Sequence, residues 1–406
     1  MRSHLTDPLM QGFPPPPEQQ VTLANWQRAP YSRWAFQNVR RLVPTAEVSR
    51  GNHPPSVFEQ APRYLDDVPV TKMDGQVVPL QQLLCETSTD AFLVIHRGKI
   101  VTEQYFNGMA PSAQHLLMSV TKSVGSTLMG ILVSQGLIDL DAPLPSYIPE
   151  LKDSAYGDAT VRQVLDMQIA SNYDEYPEAP GGYSLRDLDQ VTGWSPESGP
   201  GRPKSMYDLA QLLKKGDGDH GQRFSYDSIN TDMLGWIMER VTGIALPELL
   251  SRELWSKLGA ERDAYIGVDP SGSAILDGGL CATLRDMGRF GQMILQGGTF
   301  NDQQILPRAW IDDIRFNSDS AAWAKGYYAA LFPEGGYRSQ WWLPGNALQA
   351  MMAAGVFGQI VYIDPVAQLV GVKFSSHPEE VDGELYQNMA RAFETIAAAL
   401  EAGNEQ

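Results

Sequence analysis

The sequence has only two cysteines among its 406 residues, Cys85 and Cys281. They lie far apart, without C-x-x-C or cysteine–histidine spacing, so the sequence offers neither a zinc site nor a disulfide framework. We expect both to be small buried side chains. A chain of this length buries a core large enough to fold without a disulfide or a structural metal.

Long apolar runs are also missing. No stretch of about 18 apolar residues could span a bilayer, and the first residues lack the apolar segment of a secretory signal. Basic residues are few, because 31 lysines and arginines against 48 aspartates and glutamates give a net charge of −17. A surface this acidic repels phosphate backbones. We therefore expect a cytoplasmic protein that binds neither membranes nor nucleic acid.

Several common catalytic motifs are absent as well. The chain has no G-x-S-x-G elbow of the α/β-hydrolase type, and no H-E-x-x-H helix or glycine-rich phosphate loop. Its six histidines are scattered. The sequence therefore gives no support for a metal ion or an organic cofactor, and we expect neither.

Strand patterns occur near both ends of the chain. Residues 1–60 contain many prolines and favour an extended arm, pinned by Trp26 and Trp34. Residues 91–106 predict two strands around a turn at Arg97-Gly98. Further strands are predicted over 326–332, 339–344, 350–364 and 367–376.

Helical patterns fill the middle. Apolar residues recur at helical spacing over 117–136, 160–171, 206–215, 231–243 and 245–259, and a closing helix is predicted from about 383 to 401. Together the patterns predict an α+β fold. We expect a sheet domain built from residues 61–150 and 280–406, split by a mainly helical insertion over 151–279.

One sequence pattern suggests a nucleophile. Ser119-Val120-Thr121-Lys122 is an S-x-x-K at the start of the buried helix predicted over 117–136. Residues i and i+3 share a helix face, so the Lys122 amine can reach the Ser119 hydroxyl. The helix N-terminus also offers free N–H groups and a positive dipole end to a developing oxyanion.

The S-x-x-K is a short pattern with a structural alternative. Lys122 could instead extend to the surface along its apolar stem, or pair with a carboxylate. Against this, a lysine inside an apolar helix is costly unless it has a task or a partner.

The sequence resembles the serine β-lactamase and penicillin-binding superfamily. The resemblance rests on an ordered set of motifs, from about Trp26 to near the C-terminus: HLLMSVTKS, LDMQIASNYDE, FSYDSINTDMLGWIMERVTG, SQWW and AAGVFGQIVYIDP. Within it, the chain is most similar to the 6-aminohexanoate-dimer hydrolases and the family VIII carboxylesterases. The resemblance implies an antiparallel sheet flanked by helices, with an inserted all-α region.

The resemblance also implies catalytic roles. Ser119 would be the nucleophile, and Lys122 and Tyr226 would move protons; a cationic lysine beside Tyr226 would favour its phenolate and make it a usable base. The N–H groups of Ser119 and Val356 would form the oxyanion hole, unless the register centres on Gly358 instead. The superfamily's third motif begins with a cation, which is absent here at Ala353, so recognition of a lactam carboxylate is not expected.

Substrate contacts are implied at four positions of an aromatic-lined cleft. They are Tyr173, Trp342, Ser228 and Asp277. Adjacent Trp341 and Trp342 would point to opposite faces of a strand, so at most one lines the cleft. The family holds the amine of its amide substrates with an acidic loop residue.

The candidates for that acidic residue are Glu178, Asp187 and Asp189. The alternative is that these three are solvated charges of the loop that do not contact a substrate.

We therefore expect a serine hydrolase that acts through an acyl-serine on short-chain esters and linear amides such as 6-aminohexanoate oligomers. Three alternatives stay open: a β-lactamase or D-Ala-D-Ala peptidase, an acyltransferase using the same acyl-enzyme, and an acyl-binding sensor without turnover. The partner is a small molecule, and a homodimer is the family-level expectation.

Overall fold

The structure of the chain, a computed structural model, describes residues 9–177, 182–196, 203–347 and 349–402. Its strands there are β1 (Thr45–Val48), β2 (Glu59–Gln60), β3 (Pro69–Thr71), β4 (Val77–Pro79), β5 (Thr89–His96), β6 (Lys99–Tyr105), β7 (His115–Leu116), β8 (Tyr173–Asp174), β9 (Tyr183–Ser184), β10 (Ala264–Gly267), β11 (Leu280–Ala282), β12 (Thr299–Phe300), β13 (Gln303–Gln304), β14 (Gly336–Arg338), β15 (Trp341–Leu343), β16 (Met351–Gly355), β17 (Gln359–Asp364) and β18 (Leu369–Ser375). Its α-helices there are α1 (Ser32–Ala35), α2 (Leu80–Glu86), α3 (Val120–Ser134), α4 (Val161–Leu165), α5 (Leu185–Val191), α6 (Met206–Leu212), α7 (Ile229–Thr242), α8 (Leu246–Glu253), α9 (Leu284–Leu295), α10 (Arg308–Phe316), α11 (Ser320–Trp323) and α12 (Gly383–Ala402).

A sheet with the strand order β14-β15-β16-β17-β18-β5-β6-β2 organises the molecule. Its neighbours pair antiparallel, except that the short β2 runs parallel to β6. Every residue of β5, β17 and β18 is buried, because both faces of the sheet are covered by helices. The predicted α+β class is confirmed.

Helix α12 covers one face of this sheet. Phe393 stacks on Phe92 of β5 and Tyr362 of β17, with ring centroids 5.7 and 5.0 Å away. Gly371 of β18 permits this contact, since a Cβ there would lie 2.1 Å from the Phe393 ring. Burying one such side chain stabilises the fold by about 1.5–3 kcal/mol.

Helices α3 and α9 belong to the core on the opposite face. There, α9 and β18 approach closely, since a Cβ on Gly291 would lie 2.5 Å from Val370. Helix α3 is buried at every position from Val120 to Leu132, which explains why its sequence is apolar on most sides. The start of α3 meets the last residue of β16, since a Cβ on Gly355 would lie 2.9 Å from the backbone nitrogen of Ser119.

The segment predicted as an extended arm lies against the body of the protein from residue 9 onwards. Trp26 is fully buried, and its indole N–H donates a 2.8 Å hydrogen bond to the carbonyl of Trp194. Further along, β1 pairs antiparallel with β10 in a second sheet, of order β1-β10-β11-β7. The arm therefore packs beside the region that carries residues 264–282.

Each predicted helix has a counterpart in the structure, and four of the six are shorter than their patterns. The pattern over 160–171 yields only α4, and that over 245–259 is divided into α8 and a 3₁₀ turn, Trp255–Lys257. The prediction of a strand over 326–332 is wrong, because Tyr327–Ala330 forms a 3₁₀ turn.

The prediction that both cysteines are buried is wrong for Cys85, which is exposed at the end of α2. In the described part of the chain, no helix combines the length and the apolar character needed to cross a bilayer.

Candidate active site

Ser119 stands at the N-terminus of α3, at the floor of a cleft with an empty volume of about 820 Å³ including its open mouth. Its side chain makes no capping hydrogen bond to the helix, so the hydroxyl is free for other partners. The preceding residue, Met118, has a φ of 48°. This left-handed conformation costs an L-residue roughly 1–2 kcal/mol, and such strain is concentrated at functional sites.

Lys122 is 1% exposed and lies one turn further along α3. Its Nζ donates hydrogen bonds to Ser119 Oγ at 2.9 Å, to Ser228 Oγ at 3.0 Å and to the carbonyl of Asp277. Each of the three N–H donors of the lysine side chain therefore has an acceptor, so Lys122 is buried without an unpaired hydrogen-bond donor. The structural alternative for Lys122, extension to the surface, does not occur.

The carbonyl of Asp277 is held in place by a buried aspartate of α7. Asp232 Oδ1 accepts the backbone N–H groups of Leu276 and Asp277, at 3.0 and 3.1 Å. Burial raises the pKa of Asp232 well above its usual range, and the nearby Asp277 carboxyl raises it further. Through this contact, α7 positions the Asp277 carbonyl that accepts a hydrogen bond from Lys122.

Ser228 connects Lys122 to a residue that sequence reasoning missed. Its hydroxyl donates to Glu175 Oε1 at 2.5 Å, and its backbone N–H donates to Glu175 Oε2 at 2.8 Å. Burial is the largest cause that raises the pKa of Glu175 to about 7, and Lys122 opposes the shift. Ser228 lines the cleft, but its hydroxyl is engaged by these two partners rather than left for a substrate.

Tyr226 lies beside both catalytic candidates. Its hydroxyl interacts with the Ser119 side chain, which lowers the pKa of Tyr226, and its ring centroid is 5.3 Å from Lys122 Nζ. The expectation that the lysine favours the phenolate is wrong. Burial is the main cause that raises the pKa of Tyr226, and the carboxyls of Glu175 and Asp277 add to it, so the resting side chain is a protonated phenol.

The predicted second oxyanion donor lies where β16 meets the start of α3. A Cβ on Gly355 would be 2.6 Å from the carbonyl of Leu117 and 2.9 Å from the backbone nitrogen of Ser119. Only glycine permits so close an approach. Val356 follows and lines the cleft, and Phe357 has a φ of 61°. The alternative register centred on Gly358 places that residue beneath the turn, against Ser375 and Lys373.

Aromatic side chains form much of the cleft wall. The lining includes Tyr176, Trp194, Tyr226, Tyr328, Phe332, Trp342 and Tyr386. Trp342 lines the cleft, with its ring centroid 5.3 Å from that of Tyr226, whereas Trp341 is fully buried and stacks on Phe290. The two tryptophans thus lie on opposite faces of β15, as strand alternation predicts.

Tyr173 does not line the cleft, contrary to what the resemblance implies. Its side chain is 4% exposed and packs in the core, behind the lining of the cleft. Tyr176, three residues later, takes the position on the cleft wall, where its hydroxyl donates to Glu380 at 3.0 Å. Several tyrosines and short turns occur in this loop, so sequence alone could not tell which ring faces the cleft.

Four carboxylates line the cleft: Glu175, Asp189, Asp277 and Glu380. No lysine, arginine or histidine is among the described residues that form its lining. Asp277 Oδ1 is buried without a hydrogen-bond partner in the described chain. Burial raises the pKa of Asp189 well above its usual range, followed by the nearby carboxyls of Asp277 and Glu380.

Of the two acidic candidates that the structure describes, Asp189 lines this cleft and Asp187 does not. Asp189 lies on α5 and accepts a 3.4 Å hydrogen bond from Gln27. Asp187 instead caps α5, since its carboxylate accepts from the backbone and hydroxyl of Ser184. Glu178 lies outside the described residues. Within the described ranges, no group of three or more His, Cys, Asp or Glu side chains is arranged to hold a metal ion.

Comparison with known proteins places this geometry in a family. The family model described as Beta-lactamase matches residues 81–394. A 6-aminohexanoate-dimer hydrolase from Paenarthrobacter ureafaciens is 40% identical over 361 residues, which are 88% of each chain.

Solved structures agree with this result. A Bacillus anthracis protein, provisionally described as a 6-aminohexanoate-dimer hydrolase, superposes with a TM-score of 0.86 at 33% identity, over 96% of this chain and 99% of that one. A family VIII carboxylesterase superposes with a TM-score of 0.55 at 17% identity, over 75% of this chain and 92% of that one. The second likeness shows a shared fold.

Proposed function

The chain belongs to the beta-lactamase family of serine hydrolases, and we propose that it cleaves short-chain carboxylic esters and linear amides through an acyl-serine at Ser119. One observation carries this proposal. The Ser119 hydroxyl accepts a 2.9 Å hydrogen bond from buried Lys122 and interacts with the neighbouring Tyr226, in an open cleft. A nucleophile within hydrogen-bond reach of two proton-transfer groups is the arrangement that acyl transfer requires.

In the proposed acylation, Ser119 Oγ attacks the substrate carbonyl while Lys122 accepts its proton. The N–H groups of Ser119 and Val356 stabilise the resulting oxyanion, and removing one such donor from a serine hydrolase typically costs about 10²–10³-fold in rate. Tyr226 then donates its proton to the leaving group, a role that suits a phenol with a raised pKa. Lys122 passes the proton it took from Ser119 to the Tyr226 phenolate. Water then attacks the acyl-serine and gives one proton to Lys122, which returns it to the departing Ser119 oxygen as the acid is released.

The cleft favours a substrate with an apolar chain and a cationic end. Its aromatic wall suits methylene groups, and its lining offers four carboxyl groups as partners for an amine and no cationic side chain for a carboxylate. Asp189 is the candidate for the amine contact, because it lies on the cleft wall with only a long bond to Gln27. The 40% identical relative is named for hydrolysis of the 6-aminohexanoate dimer, which supports amine-bearing linear amides as the substrate class for this chain.

The same charges disfavour the lactam alternative. A penicillin-like substrate presents a carboxylate, and the described lining of the cleft offers it no cationic side chain. We expect nitrocefin to be a poor substrate.

Hydrolysis of p-nitrophenyl butyrate tests the proposal directly. Wild-type protein should release p-nitrophenol and carry a butyryl mass adduct during turnover, and Ser119→Ala should lose both. The linear 6-aminohexanoate dimer then tests amidase activity, and Asp189→Asn should raise KM for this dimer without raising KM for the uncharged ester. An adduct that forms without turnover would favour a sensor, and an ester product formed with an added alcohol would favour an acyltransferase.

A further inference from the structure

A buried row of hydrogen bonds leads away from the nucleophile to a carboxyl group that the proposed reaction does not yet use. It runs from Ser119 Oγ to Lys122 Nζ at 2.9 Å, on to Ser228 Oγ at 3.0 Å, and ends at Glu175 Oε1 at 2.5 Å. Lys122, Ser228 and Glu175 are 1%, 2% and 7% exposed. The row joins three separate segments of the chain and runs beneath the cleft surface, with Ser119, Ser228 and Glu175 at the cleft lining.

With Glu175 ionised, chemistry fixes the direction of each hydrogen bond in the row. A carboxylate only accepts, so Ser228 donates its O–H to one oxygen of Glu175 and its backbone N–H to the other. The Ser228 oxygen is then left to accept from Lys122. Lys122 in turn donates to Ser119, Ser228 and the Asp277 carbonyl, which uses all three protons of an ammonium. In this resting state Lys122 has no lone pair with which to accept the Ser119 proton.

We propose that Glu175 is a positioning residue that acts through the Ser228 hydroxyl: it takes up a proton from Lys122 and so provides the neutral amine that Ser119 needs. This inference rests on the proposed function of the site. It assigns to Ser228 a bridging role between Lys122 and Glu175, in place of a substrate contact.

The proton balance of this step is simple. One N–H bond of Lys122 breaks as a new O–H bond forms at Ser228, while the original Ser228 O–H proton moves to Glu175 Oε1. An ammonium and a carboxylate become an amine and a carboxylic acid, and Ser228 remains a neutral hydroxyl. No oxidant, metal or water is consumed. The freed lone pair of Lys122 then accepts the proton of Ser119 as the acyl bond forms.

The surroundings of Glu175 allow this transfer near neutral pH. Burial raises the pKa of Glu175 to about 7, with Lys122 and the Ser228 hydrogen bonds opposing the shift, so the acid form is accessible without denaturing conditions. The titratable groups that interact with Glu175 are Lys122, Tyr173, Tyr176, Asp189, Tyr226, Asp227, Asp277, Tyr328 and Tyr337. Lys122 is the cation among them, and it is the partner that the proton leaves.

The proposal predicts a specific pH dependence. Glu175 must be ionised to accept a proton, so acylation by wild type should fall as pH drops through about 7. In Glu175→Gln the acid limb near pH 7 should be replaced by one at alkaline pH, and single-turnover acylation by p-nitrophenyl butyrate at about pH 7.5 should fall about 10²-fold. KM should change little, since the uncharged ester does not need Glu175 for binding.

Four further variants distinguish proton transfer through Ser228 to Glu175 from a purely structural role of these residues. Ser228→Ala should reproduce the loss while keeping the carboxyl group, and Ser228→Thr and Glu175→Asp should restore part of the rate. Glu253→Gln is the matched control, because Glu253 is 8% exposed but lies on α8, paired with Arg252 and Lys257. It should keep the wild-type pH profile.

Two results would overturn the proposal. One is a folded Glu175→Gln protein that acylates within about threefold of wild type with the same acid limb; if that variant does not fold, Ser228→Ala with an unaltered pH profile is equally decisive. The failure of the proposed function is a different result, in which Ser119→Ala retains the esterase rate. An inactive Ser119→Ala together with a Glu175→Gln that keeps the wild-type rate and pH profile would reject only the proposed proton transfer to Glu175.

Discussion

The Nζ of Lys122 lies 2.9 Å from the Oγ of Ser119, three residues earlier on the same face of α3. The contact is local in sequence, yet it forms deep in the protein because α3 is buried along most of its length. Lys122 also donates hydrogen bonds to Ser228 and to the Asp277 carbonyl, and together these three bonds fix the position of its Nζ.

Replacing Lys122 distinguishes a base from a charge. Lys122→Ala should reduce ester turnover at least about 10³-fold, because it removes the proton acceptor of Ser119. Lys122→Arg keeps the positive charge but cannot be deprotonated in a protein, so it should be almost as inactive. Steady-state rates on p-nitrophenyl butyrate, with circular dichroism to confirm folding, measure both. A folded arginine variant with near wild-type activity would show that only the charge matters.

Tyr226 should matter most when the leaving group is poor. Tyr226→Phe removes the phenol beside Ser119, and we expect a loss of at least about 10²-fold on an alkyl ester or a linear amide. The loss should be smaller on p-nitrophenyl butyrate, because p-nitrophenolate departs without being protonated. The measurement compares the rates of wild type and Tyr226→Phe on an alkyl ester, a linear amide and a p-nitrophenyl ester that share one acyl group. Equal losses on all three would place Tyr226 in another step.

Gly355 should tolerate no side chain. In Gly355→Ala the new Cβ would lie 2.9 Å from the Ser119 nitrogen and 2.6 Å from the Leu117 carbonyl, so β16 and the start of α3 must separate. We expect a loss of about 1–3 kcal/mol in the free energy of unfolding and a larger fall in kcat than in KM, since the oxyanion donors move apart. Denaturant titration and kinetics on the same preparation test this, and an alanine variant with unchanged kcat would contradict the oxyanion assignment.

The buried Glu175 should make stability depend on pH. Its pKa rises from an ordinary value of 4.5 to about 7 in the fold, so between these pH values the unfolded chain releases a proton that the folded protein keeps. The associated stability is fully present below about pH 4.5 and is lost as pH rises through 7, by up to about 3 kcal/mol. Glu175→Gln has no such titration.

Relative to wild type, Glu175→Gln should therefore gain stability between about pH 4 and about pH 8. Urea unfolding of both proteins at the two pH values measures the change. Glu253→Gln serves again as the control. Parallel pH dependence in Glu175→Gln and wild type would contradict the shifted pKa.

The sequence was informative where chemistry is local or carried by a family motif. Ser119 and Lys122 are three residues apart on one helix, and their contact follows from helix geometry. Tyr226 and Val356 came from motifs recognised in order, and both line the cleft beside Ser119. Strand alternation separated Trp342 from Trp341.

The rest of the site depends on contacts that no spacing reveals. Glu175 meets Ser228 across 53 residues and Ser228 meets Lys122 across 106, so their hydrogen bonds arise only after the loop before α5 has packed on α7. The same loop decides that Tyr176, and not Tyr173, reaches the cleft. The 3₁₀ turn at Tyr327–Ala330 was missed because a short aromatic run favours a strand equally well.

The measurement that tests the central claim most directly is an intact mass spectrum of the protein during turnover of p-nitrophenyl butyrate. The account predicts one butyryl adduct on wild type, located at Ser119 by peptide mapping, and none on Ser119→Ala. An adduct on another residue, or full turnover by Ser119→Ala, would contradict it.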